Sequence, residues 1–461
     1  MNLPDILIKI AKKLDKKGAK AIVVGGAVRD YYLNLPIKDI DIEVYNISSY
    51  EELANILKEY GSVNLVGKSF GVVKLKIDNM EYDFSLPRVE QKVDSGHKGF
   101  NVKLYSKLDF TTAFKRRDFT INAMGYDILQ KNLIDPFYGK QDLSTKTLRI
   151  VDKNSFIEDP LRVYRAVQFS ARFNMHLSDD TFELCKLMVD RGDLEQLPKE
   201  RVFQEFKKFL LKAKKPSIAL ELIKQLGILK YFPELKALID IPQDPTYHAE
   251  GDVWIHTLMV LDEMAKLRSG DEKLDLIRMF SALCHDFGKP QTTKIRDGKI
   301  TAYNHDIAGV EPTVKFLKRL TDDKKLIDNV ANFVLYHLRV GQLYKGKAKA
   351  GAIRRLATKI NLQELELLAR ADYFGRVSKN KKENFEAGEW LLKKSKELNV
   401  LNSSAKPIIQ GRDLINLGLK PSSNFKEILN SAYQAQLDDK FKNKDDGLLW
   451  LKEFLKRGDF K

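Results

Sequence analysis

The sequence has few cysteines and no long hydrophobic run. Its two cysteines, Cys185 and Cys284, lie far apart within apolar helical patterns, which excludes a disulfide scaffold and predicts buried thiols in a reducing compartment. No stretch approaches the roughly 18 apolar residues of a membrane span, and Asp5 and Lys9 interrupt the apolar stripe of the first segment. These absences predict a cytoplasmic protein with no secretion signal and no membrane anchor.

Acidic residues are too few to balance the basic ones. The 79 lysines and arginines exceed the 63 aspartates and glutamates, which leaves a formal net charge of +16. Such a surface attracts polyanions, so a nucleic acid is the expected partner. The hydrophobic fraction of 43% in 461 residues supplies several globular cores and argues against disorder.

Strand and helix patterns divide the chain into an α/β part and a helical part. The run 21–24 predicts a short buried strand that ends at a pair of glycines, and further strands are expected over 40–45, 71–77 and 82–85. From Asp159 onward the periodicity is that of helices, broken at prolines. The predicted fold class is α+β, with a small mixed-sheet head followed by helical regions. The expected domains are a head (1–150), a helical neck and body (151–245), a third domain (246–375) and a helical tail (376–461).

The segment Gly25-Gly26-Ala27-Val28-Arg29-Asp30, followed by Asp39-Ile40-Asp41, is the first chemical motif. Paired glycines at a strand-to-helix turn let backbone N–H groups approach a phosphate, and Arg29 can neutralise it. Alternation along a strand places Asp39 and Asp41 on one face, where they could share Mg²⁺ and support nucleotidyl transfer. A glycine turn beside two surface aspartates is the alternative.

Two further motifs combine arginines with carboxylates. Arg116-Arg117-Asp118, followed by Asn122, offers donors and acceptors for phosphate and ribose, or else forms a surface ion-pair cluster. In Glu158-Asp159-Pro160-Leu161-Arg162, Asp159 and Arg162 would project from one face of a helix, and Arg165 follows one turn later. A carboxylate paired with a guanidinium matches the Watson–Crick edges of C and A and rejects U and G. An ordinary ion pair within the helix is the alternative.

The order and spacing of these motifs resemble those of class II CCA-adding tRNA nucleotidyltransferases, whose catalytic head belongs to the polymerase-β superfamily. The resemblance continues through Glu90–Phe100, similar to the family's head loop, through 135–139 with Asp142, and through Glu200-Arg201 with Glu205. It implies that Asp39 and Asp41 are catalytic ligands of Mg²⁺. Asp83, on a predicted strand, is a candidate for a third carboxylate, and its role is left open. The nucleotide-binding residues expected from the motifs and the resemblance together are Gly25, Gly26, Arg29, Arg116, Arg117, Asp118, Asp159, Arg162 and Arg165.

The second half contains four of the seven histidines within one helical stretch. They are His256, His285, His305 and His337, and His285-Asp286 forms a doublet at the end of an apolar helix. This pattern resembles an HD-superfamily phosphohydrolase domain. The resemblance implies a metal set of His256, His285, Asp286 and Asp372, suited to a transition metal such as Ni²⁺ or Mn²⁺. Satisfied core histidines in an inactive domain are the alternative.

These patterns together predict an enzyme that adds CCA to tRNA 3′ ends from CTP and ATP, with a possible phosphohydrolase in the HD domain. A poly(A) polymerase and an enzyme that adds only CC or only A remain alternatives. An HD hydrolase or RNA-binding protein with an inert head is an alternative of another class. The lysine-rich tail past Arg376 either contacts an RNA backbone or packs with its charges solvated. We expect no obligatory protein partner and no membrane association.

Overall fold

The structure, a computed structural model, describes residues 1–37, 39–64, 71–78, 80–92, 100–104, 107–378 and 382–458. The chain forms two compact units. The first comprises Met1–Ala213 and Ile218–Tyr231, and the second comprises Lys214–Ser217 and Phe232–Lys461. Each unit has its own buried apolar side chains.

A seven-stranded mixed sheet organises the first unit. The strands of this unit are β1 (Lys20–Val24), β2 (Asp41–Tyr45), β3 (Ser62–Asn64), β4 (Val72–Ile77), β5 (Met80–Ser85), β6 (Arg88–Lys92), β7 (Phe100–Leu104), β8 (Gly125–Asp127), β9 (Leu133–Ile134), β10 (Thr147–Leu148) and β11 (His176–Leu177). The order in the main sheet is β3-β4-β5-β2-β1-β8-β9, in which only the β2–β5 pair is parallel. The α+β prediction is therefore confirmed for this part of the chain.

Strand register brings the two parts of the first motif, the glycine turn and Asp41, to the same end of the central strands. Val24, the last residue of β1, pairs with Asp41, the first residue of β2. Asp41 in turn pairs with Asp83 of β5. The predicted strand over 40–45 thus begins at Asp41, and Asp39 lies just before it. In the predicted head loop, β6 and β7 form an antiparallel pair, and residues 93–99 lie outside the described part of the chain.

Helices cover the sheet and build the rest of the first unit. The helices up to residue 225 are α1 (Asp5–Asp15), α2 (Gly26–Tyr32), α3 (Tyr50–Leu57), α4 (Phe110–Lys115), α5 (Gly139–Ser144), α6 (Lys153–Glu158), α7 (Leu161–Phe173), α8 (Asp179–Asp190), α9 (Lys199–Lys212) and α10 (Ser217–Gln225). α1 shows why the pattern is amphipathic: Leu7, Ile10 and Leu14 are buried, and the lysines between them face solvent. α7, which follows the Asp159 motif, packs against α9.

The second unit is predominantly helical. Its helices are α11 (Pro233–Lys236), α12 (Val253–Lys266), α13 (Glu272–Cys284), α14 (Lys289–Thr292), α15 (His305–Ala308), α16 (Val310–Lys318), α17 (Lys324–Tyr336), α18 (Arg339–Lys345), α19 (Ala350–Ala357), α20 (Leu362–Phe374), α21 (Glu386–Glu397), α22 (Gly411–Asn416), α23 (Asn424–Leu437) and α24 (Lys444–Arg457). α12 packs against α13 and α20, and α13 packs against α17. His256 and Asp372 lie within α12 and α20, whereas His285 and His337 directly follow the ends of α13 and α17.

One hairpin corrects the expectation that the second half is wholly helical. β12 (Thr293–Arg296) and β13 (Lys299–Ala302) pair antiparallel. The turn is Asp297-Gly298, and both residues have positive φ, 49° and 71°. Asp-Gly at the two central positions matches the twist of a two-residue hairpin, so a local signal for this hairpin was present in the sequence.

Both cysteines are free and buried, as the sequence predicts. Cys185 lies in α8 and Cys284 at the end of α13. Among the described residues, no helix combines the length and the apolar character that crossing a membrane requires.

Candidate active site and candidate metal centre

A cleft of about 440 Å³ opens in the first unit where β1 ends and β2 begins. Seven arginines and three aspartates line it, so the cleft is strongly basic around a few carboxylates. The lining residues are Gly25, Gly26, Arg29, Asp41, Arg88, Arg116, Arg117, Asp118, Asn122, Asp159, Leu161, Arg162, Arg165, Phe169 and Arg201. The fold therefore brings together every residue predicted to bind nucleotide, together with Asp41.

Gly25 shapes the floor of this cleft. It precedes α2 with a φ of 71°, a backbone conformation that residues with a side chain rarely adopt. A Cβ built on Gly25 would lie 2.8 Å from Nη1 of Arg117. The backbone turn therefore favours glycine, and a Cβ at this position would displace the end of the Arg117 side chain.

Carboxylates gather at the sheet edge beside the basic groups. Asp41 and Asp83 are register neighbours on parallel strands, so their side chains leave the same face. Desolvation raises the pKa of Asp41, and the nearby carboxylates of Asp83, Asp39 and Glu43 raise it further, although Arg117 opposes them. A cluster that disfavours its own ionisation fits a divalent cation, which would relieve the repulsion.

Arg29 is buried and held by several contacts. Its Nε and Nη2 donate to Oδ1 of Asp30 at 2.8 and 2.7 Å, and its Nη1 donates to Oδ1 of Asn122 at 2.6 Å. The guanidinium also stacks on Phe173, with 4.7 Å between its carbon and the ring centre. This fixed cation forms part of the cleft wall.

Asp118 connects the second motif to the third. Its Oδ1 accepts from Nδ2 of Asn122 at 3.0 Å, and its Oδ2 accepts from Arg165 at 2.6 Å. Burial by itself would raise the pKa of Asp118, but Arg165, Asn122 and Arg162 bring it below its usual value. Asp118 is therefore an ionised anchor that orients Arg165 within the cleft.

The structure corrects the expected helix geometry of Asp159 and Arg162. Asp159 follows α6 with φ −122° and ψ 95°, whereas α7 begins at Leu161, so the two residues do not share a helix. Pro160 is the reason, because a proline ring disfavours helical geometry in the residue before it. Both side chains nevertheless line the same cleft.

Each member of this pair is held by groups outside the pair. Arg162 donates to the backbone oxygens of Ser155 at 2.8 Å and Arg116 at 2.7 Å. Oδ2 of Asp159 accepts from Nη2 of Arg201 at 3.1 Å. An ordinary Asp159–Arg162 ion pair is therefore not the arrangement found. The sequence predicts no specific role for Arg201, although the Glu200-Arg201 dipeptide is part of the family resemblance.

A second constellation lies within the second unit, where α12, α13 and α20 meet. Nε2 of His256 lies 3.3 Å from Nε2 of His285 and 3.2 Å from Oδ1 of Asp372. Oδ2 of Asp286 lies 3.2 Å from Nε2 of His285 and 3.6 Å from Nε2 of His256. The structure thus brings together the four residues predicted as a metal set.

Asp286 also belongs to a second group that contains His305 and His337. Its Oδ1 lies 3.4 Å from Nε2 of His305, which in turn lies 3.2 Å from Nε2 of His337. A Cβ on Gly288 would lie 2.0 Å from the backbone oxygen of His305, so glycine lets the His285-Asp286 turn approach α15. Both histidines belong to the histidine-rich stretch of the sequence, but the family resemblance implies no ligand role for them.

Hydrogen bonds orient the histidine rings of these groups. Nδ1 of His285, His305 and His337 faces the backbone oxygen three residues earlier, at 2.8, 2.6 and 2.6 Å. A carbonyl only accepts, so each Nδ1 donates; burial lowers the pKa of His305 and of His337, so these two neutral rings present facing Nε2 lone pairs to each other. Facing lone pairs about 3 Å apart are unfavourable without a cation between them. This donor set therefore fits a metal centre better than a satisfied core.

The charges around the cluster keep its ligands ready for a cation. Burial would raise the pKa of Asp372, but Arg376, His256 and His285 hold it well below its usual range. Burial, followed by the influence of His305 and His285, lowers the pKa of His337 to about 3. An ionised carboxylate and a neutral imidazole are the forms that bind metals.

The chain is similar to known protein families in the regions that contain the cleft and the histidine cluster. The chain matches the poly A polymerase head domain over residues 21–149, the probable RNA- and SrmB-binding site of polymerase A over 174–239, and the HD domain over 253–376. The solved structures of the Bacillus stearothermophilus CCA-adding enzyme with CTP and the Thermotoga maritima CCA-adding enzyme with tRNA have the same fold. Their TM-scores are 0.69 and 0.61 at 22% and 21% identity, covering 100% and 98% of this chain and 99% and 96% of theirs.

Curated relatives identify the family. The multifunctional CCA protein of Neisseria meningitidis serogroup A is 38% identical over 325 residues, which cover 70% of this chain and 74% of that protein. The protein of the same name from Mannheimia succiniciproducens is 35% identical over 369 residues, covering 77% and 84%. The chain therefore belongs to the family of CCA-adding tRNA nucleotidyltransferases, and its sequence contains an HD domain C-terminal to the head domain.

Proposed function

We propose that this enzyme adds C, C and A to tRNA 3′ ends from CTP and ATP without a nucleic-acid template. The observation that carries the proposal is that one basic cleft contains a carboxylate suited to Mg²⁺, a glycine turn, several arginines and the Asp159–Arg162 pair. In the reaction, the tRNA 3′ hydroxyl attacks the α-phosphate and pyrophosphate leaves. The cleft offers a cation-binding edge, cations for the triphosphate, and directional groups for a base.

Asp39 and Asp41 are the residues that would hold Mg²⁺, and Asp83, the register neighbour of Asp41, would join them. When bound, Mg²⁺ supplies charge stabilisation for the triphosphate and lowers the pKa of the attacking hydroxyl. Arg116 and Arg117 line the same cleft and would bind the triphosphate, while the Gly25-Gly26 turn leaves its backbone accessible. No dedicated protein base is needed.

Base selection would come from the rigid positions of Asp159 and Arg162. The exocyclic NH₂ of C or A can donate to the Asp159 carboxylate, and the ring nitrogen beside it can accept from Arg162. U and G instead present a carbonyl oxygen to the carboxylate and an N–H to the guanidinium, which leaves buried groups unpaired. Because Arg201 and two backbone oxygens hold these side chains, they can act in place of a template.

Replacing Asp159 with alanine should weaken base choice more than triphosphate binding. We expect UTP and GTP incorporation relative to CTP and ATP to rise roughly 10-fold, about the worth of one charge-assisted hydrogen bond. Single-turnover incorporation of each of the four nucleotides measures this ratio. Glu158→Ala is the matched control, since Glu158 precedes Asp159 outside the cleft lining. Unchanged misincorporation in Asp159→Ala would show that another group selects the base.

The overall proposal is tested with tRNA transcripts that end before CCA, after C, and after CC. We expect C to be added to the first two, A only to the third, and then termination. Long A tails would indicate a poly(A) polymerase, and a stop after CC, or use of the third substrate alone, would indicate a partial enzyme. No extension of any transcript would favour an HD hydrolase with an inert head.

We further propose that the HD domain hydrolyses phosphate esters with a transition metal such as Ni²⁺ or Mn²⁺. His256, His285, Asp286 and Asp372 would hold one ion, and His305 and His337 would join Asp286 around a second position. When bound, such an ion supplies Lewis-acid activation of a phosphate ester. Lys289, whose Nζ lies 2.7 Å from Oδ2 of Asp286, is a cation beside the cluster that could contact a substrate phosphate.

The proposal also covers the domain bounds, the cellular compartment and the binding of RNA. The division into head, neck and body, HD domain and tail at 150, 245 and 375 is kept as a functional division of the chain. Free, buried cysteines are compatible with a reducing compartment and support a cytoplasmic location. A net charge of +16 supports binding to the tRNA backbone.

A further inference from the structure

A fully buried glutamate lies directly behind the cleft. Glu43 is in β2, two residues after Asp41, and is only 1% exposed. Residues of a strand alternate between faces, so Glu43 is on the same face as Asp41. An unpaired buried carboxylate would be costly, so the groups around Glu43 must compensate for its lost hydration.

Two arginines of the cleft and one tyrosine compensate for it. Oε1 of Glu43 accepts from Nη2 of Arg116 at 2.7 Å and from Nη2 of Arg117 at 2.8 Å. Oε2 accepts from the hydroxyl of Tyr45 at 2.8 Å. Two guanidinium cations and one hydroxyl therefore stabilise a charged carboxylate at this buried position. One negative charge thus holds two positive charges that line the cleft.

Because one carboxylate pairs with two guanidinium groups, this arrangement leaves a net positive charge at the cleft. Each guanidinium has five N–H donors in a rigid plane, and a bond from one corner to Glu43 fixes the direction of the others. Nη1 of Arg117 also donates to the backbone oxygen of Asn122 at 3.3 Å, beside Gly25. The two guanidinium planes are therefore set before a triphosphate arrives.

The same contact affects the carboxylates of the sheet edge. Arg117 and Asp41 line the same cleft. An Arg117 released from Glu43 would be free to pair with the Asp41 carboxylate across this cleft. An ion pair there would compete with a divalent cation for the same oxygens.

We propose that Glu43 is a positioning residue for nucleotidyl transfer, which orients Arg116 and Arg117 toward the triphosphate and keeps Arg117 away from the metal-binding carboxylates. This inference rests on the proposed function of the cleft. It assigns a role to a residue that touches neither nucleotide nor metal and acts through its two arginines.

The test is Glu43→Gln, which removes the charge and keeps the volume. We expect the KM for CTP and ATP to rise roughly 10- to 100-fold, the worth of one or two charge-assisted hydrogen bonds, with a smaller change in kcat. The Mg²⁺ concentration for half-maximal rate should also rise several-fold, about what a competing ion pair of modest strength produces. Loss of packing alone would not change the Mg²⁺ requirement.

Two control variants separate positioning from general damage. Tyr45→Phe removes one hydrogen bond to Glu43 but keeps both arginine contacts, so its kinetics should stay near wild type. Asp142→Asn changes another buried head carboxylate, bonded to Thr120 and Arg149 outside the cleft lining, and should leave the KM and Mg²⁺ requirement unchanged. If Glu43→Gln does not fold, Glu43→Asp keeps the charge but cannot reach both arginines, and should give smaller shifts in the same direction.

Equilibrium binding of CTP with Ca²⁺ in place of Mg²⁺ gives a readout without turnover. If wild type binds CTP but extends no tRNA, the proposed function fails while weaker CTP binding by Glu43→Gln still supports the positioning role. If wild type adds CCA and a folded Glu43 variant keeps wild-type CTP binding, KM and Mg²⁺ requirement, only the Glu43 inference is overturned. Equal shifts in Asp142→Asn would overturn it as well.

Discussion

Replacing Asp41 with alanine should abolish nucleotide addition, lowering its rate at least ~1,000-fold, because the cation that stabilises the triphosphate loses a ligand at the sheet edge. The affinity for tRNA should stay within about twofold of wild type, since phosphate contacts from basic groups dominate RNA binding. Single-turnover incorporation of labelled CTP and filter binding of the same tRNA measure the two effects separately. Asp39→Ala is expected to behave in the same way.

The same carboxylate should make the metal-free protein less stable. The folded-state pKa of Asp41 is raised, so its ionised form is disfavoured by folding, and the resulting destabilisation is present at neutral pH and relieved as the pH falls through the raised pKa. Asp41→Asn removes the charge without removing volume. We therefore expect a higher thermal midpoint than wild type without Mg²⁺, and a smaller gain in midpoint when Mg²⁺ is added.

Asp190→Ala serves as the control, because Asp190 is an exposed residue of α8 outside the cleft lining. It should match wild type in rate and in response to Mg²⁺. Normal turnover in Asp41→Ala or in Asp39→Ala would remove the catalytic assignment from that residue. A lower midpoint for metal-free Asp41→Asn would show that Asp41 makes a net stabilising contact.

The double substitution His285→Ala and Asp286→Ala should remove the metal of the HD domain and its hydrolytic activity, and leave CCA addition intact. Asp286 groups with His305 and His337 and also lies next to His285 and His256, so its loss affects both ligand groups. Elemental analysis before and after incubation with Ni²⁺ or Mn²⁺ measures the metal, and a chromogenic phosphodiester measures hydrolysis. Asp41→Ala should show the converse pattern, with hydrolysis retained and nucleotide addition lost.

Glu366→Gln is a matched control for the double substitution. Glu366 is a buried carboxylate on α20, paired with Arg370 at 2.9 Å and outside both candidate ligand groups. It should keep the metal and the hydrolysis. A parallel fall of CCA addition and hydrolysis in a folded His285/Asp286 variant would show that the two activities depend on each other. Wild type that neither retains nor recruits a transition metal and hydrolyses nothing would point to a structural HD domain.

The sequence alone determined the features that depend on neighbours in the chain. The paired glycines follow an apolar strand, and the cysteines lie within apolar helical patterns. Both features reflect local backbone preferences and periodicity, so the strand-to-helix turn and the buried thiols could be predicted from them. Two predictions about local structure were wrong, although the sequence contained the signals against them. Asp297-Gly298 marked a hairpin within a region expected to be helical, and Pro160 separated Asp159 from the helix of Arg162.

Only the tertiary structure decided which distant groups meet. Glu43 contacts Arg116 and Arg117 across 73 and 74 residues of sequence, and Asp83 lies beside Asp41 because β5 pairs parallel with β2. Arg201 reaches Asp159 from α9, and His305 and His337 complete a group around Asp286. Such contacts follow from strand order and helix packing, which place a side chain according to the whole core around it. Residue types and local spacing state which chemistry is available, and the packing of the core determines which groups act together.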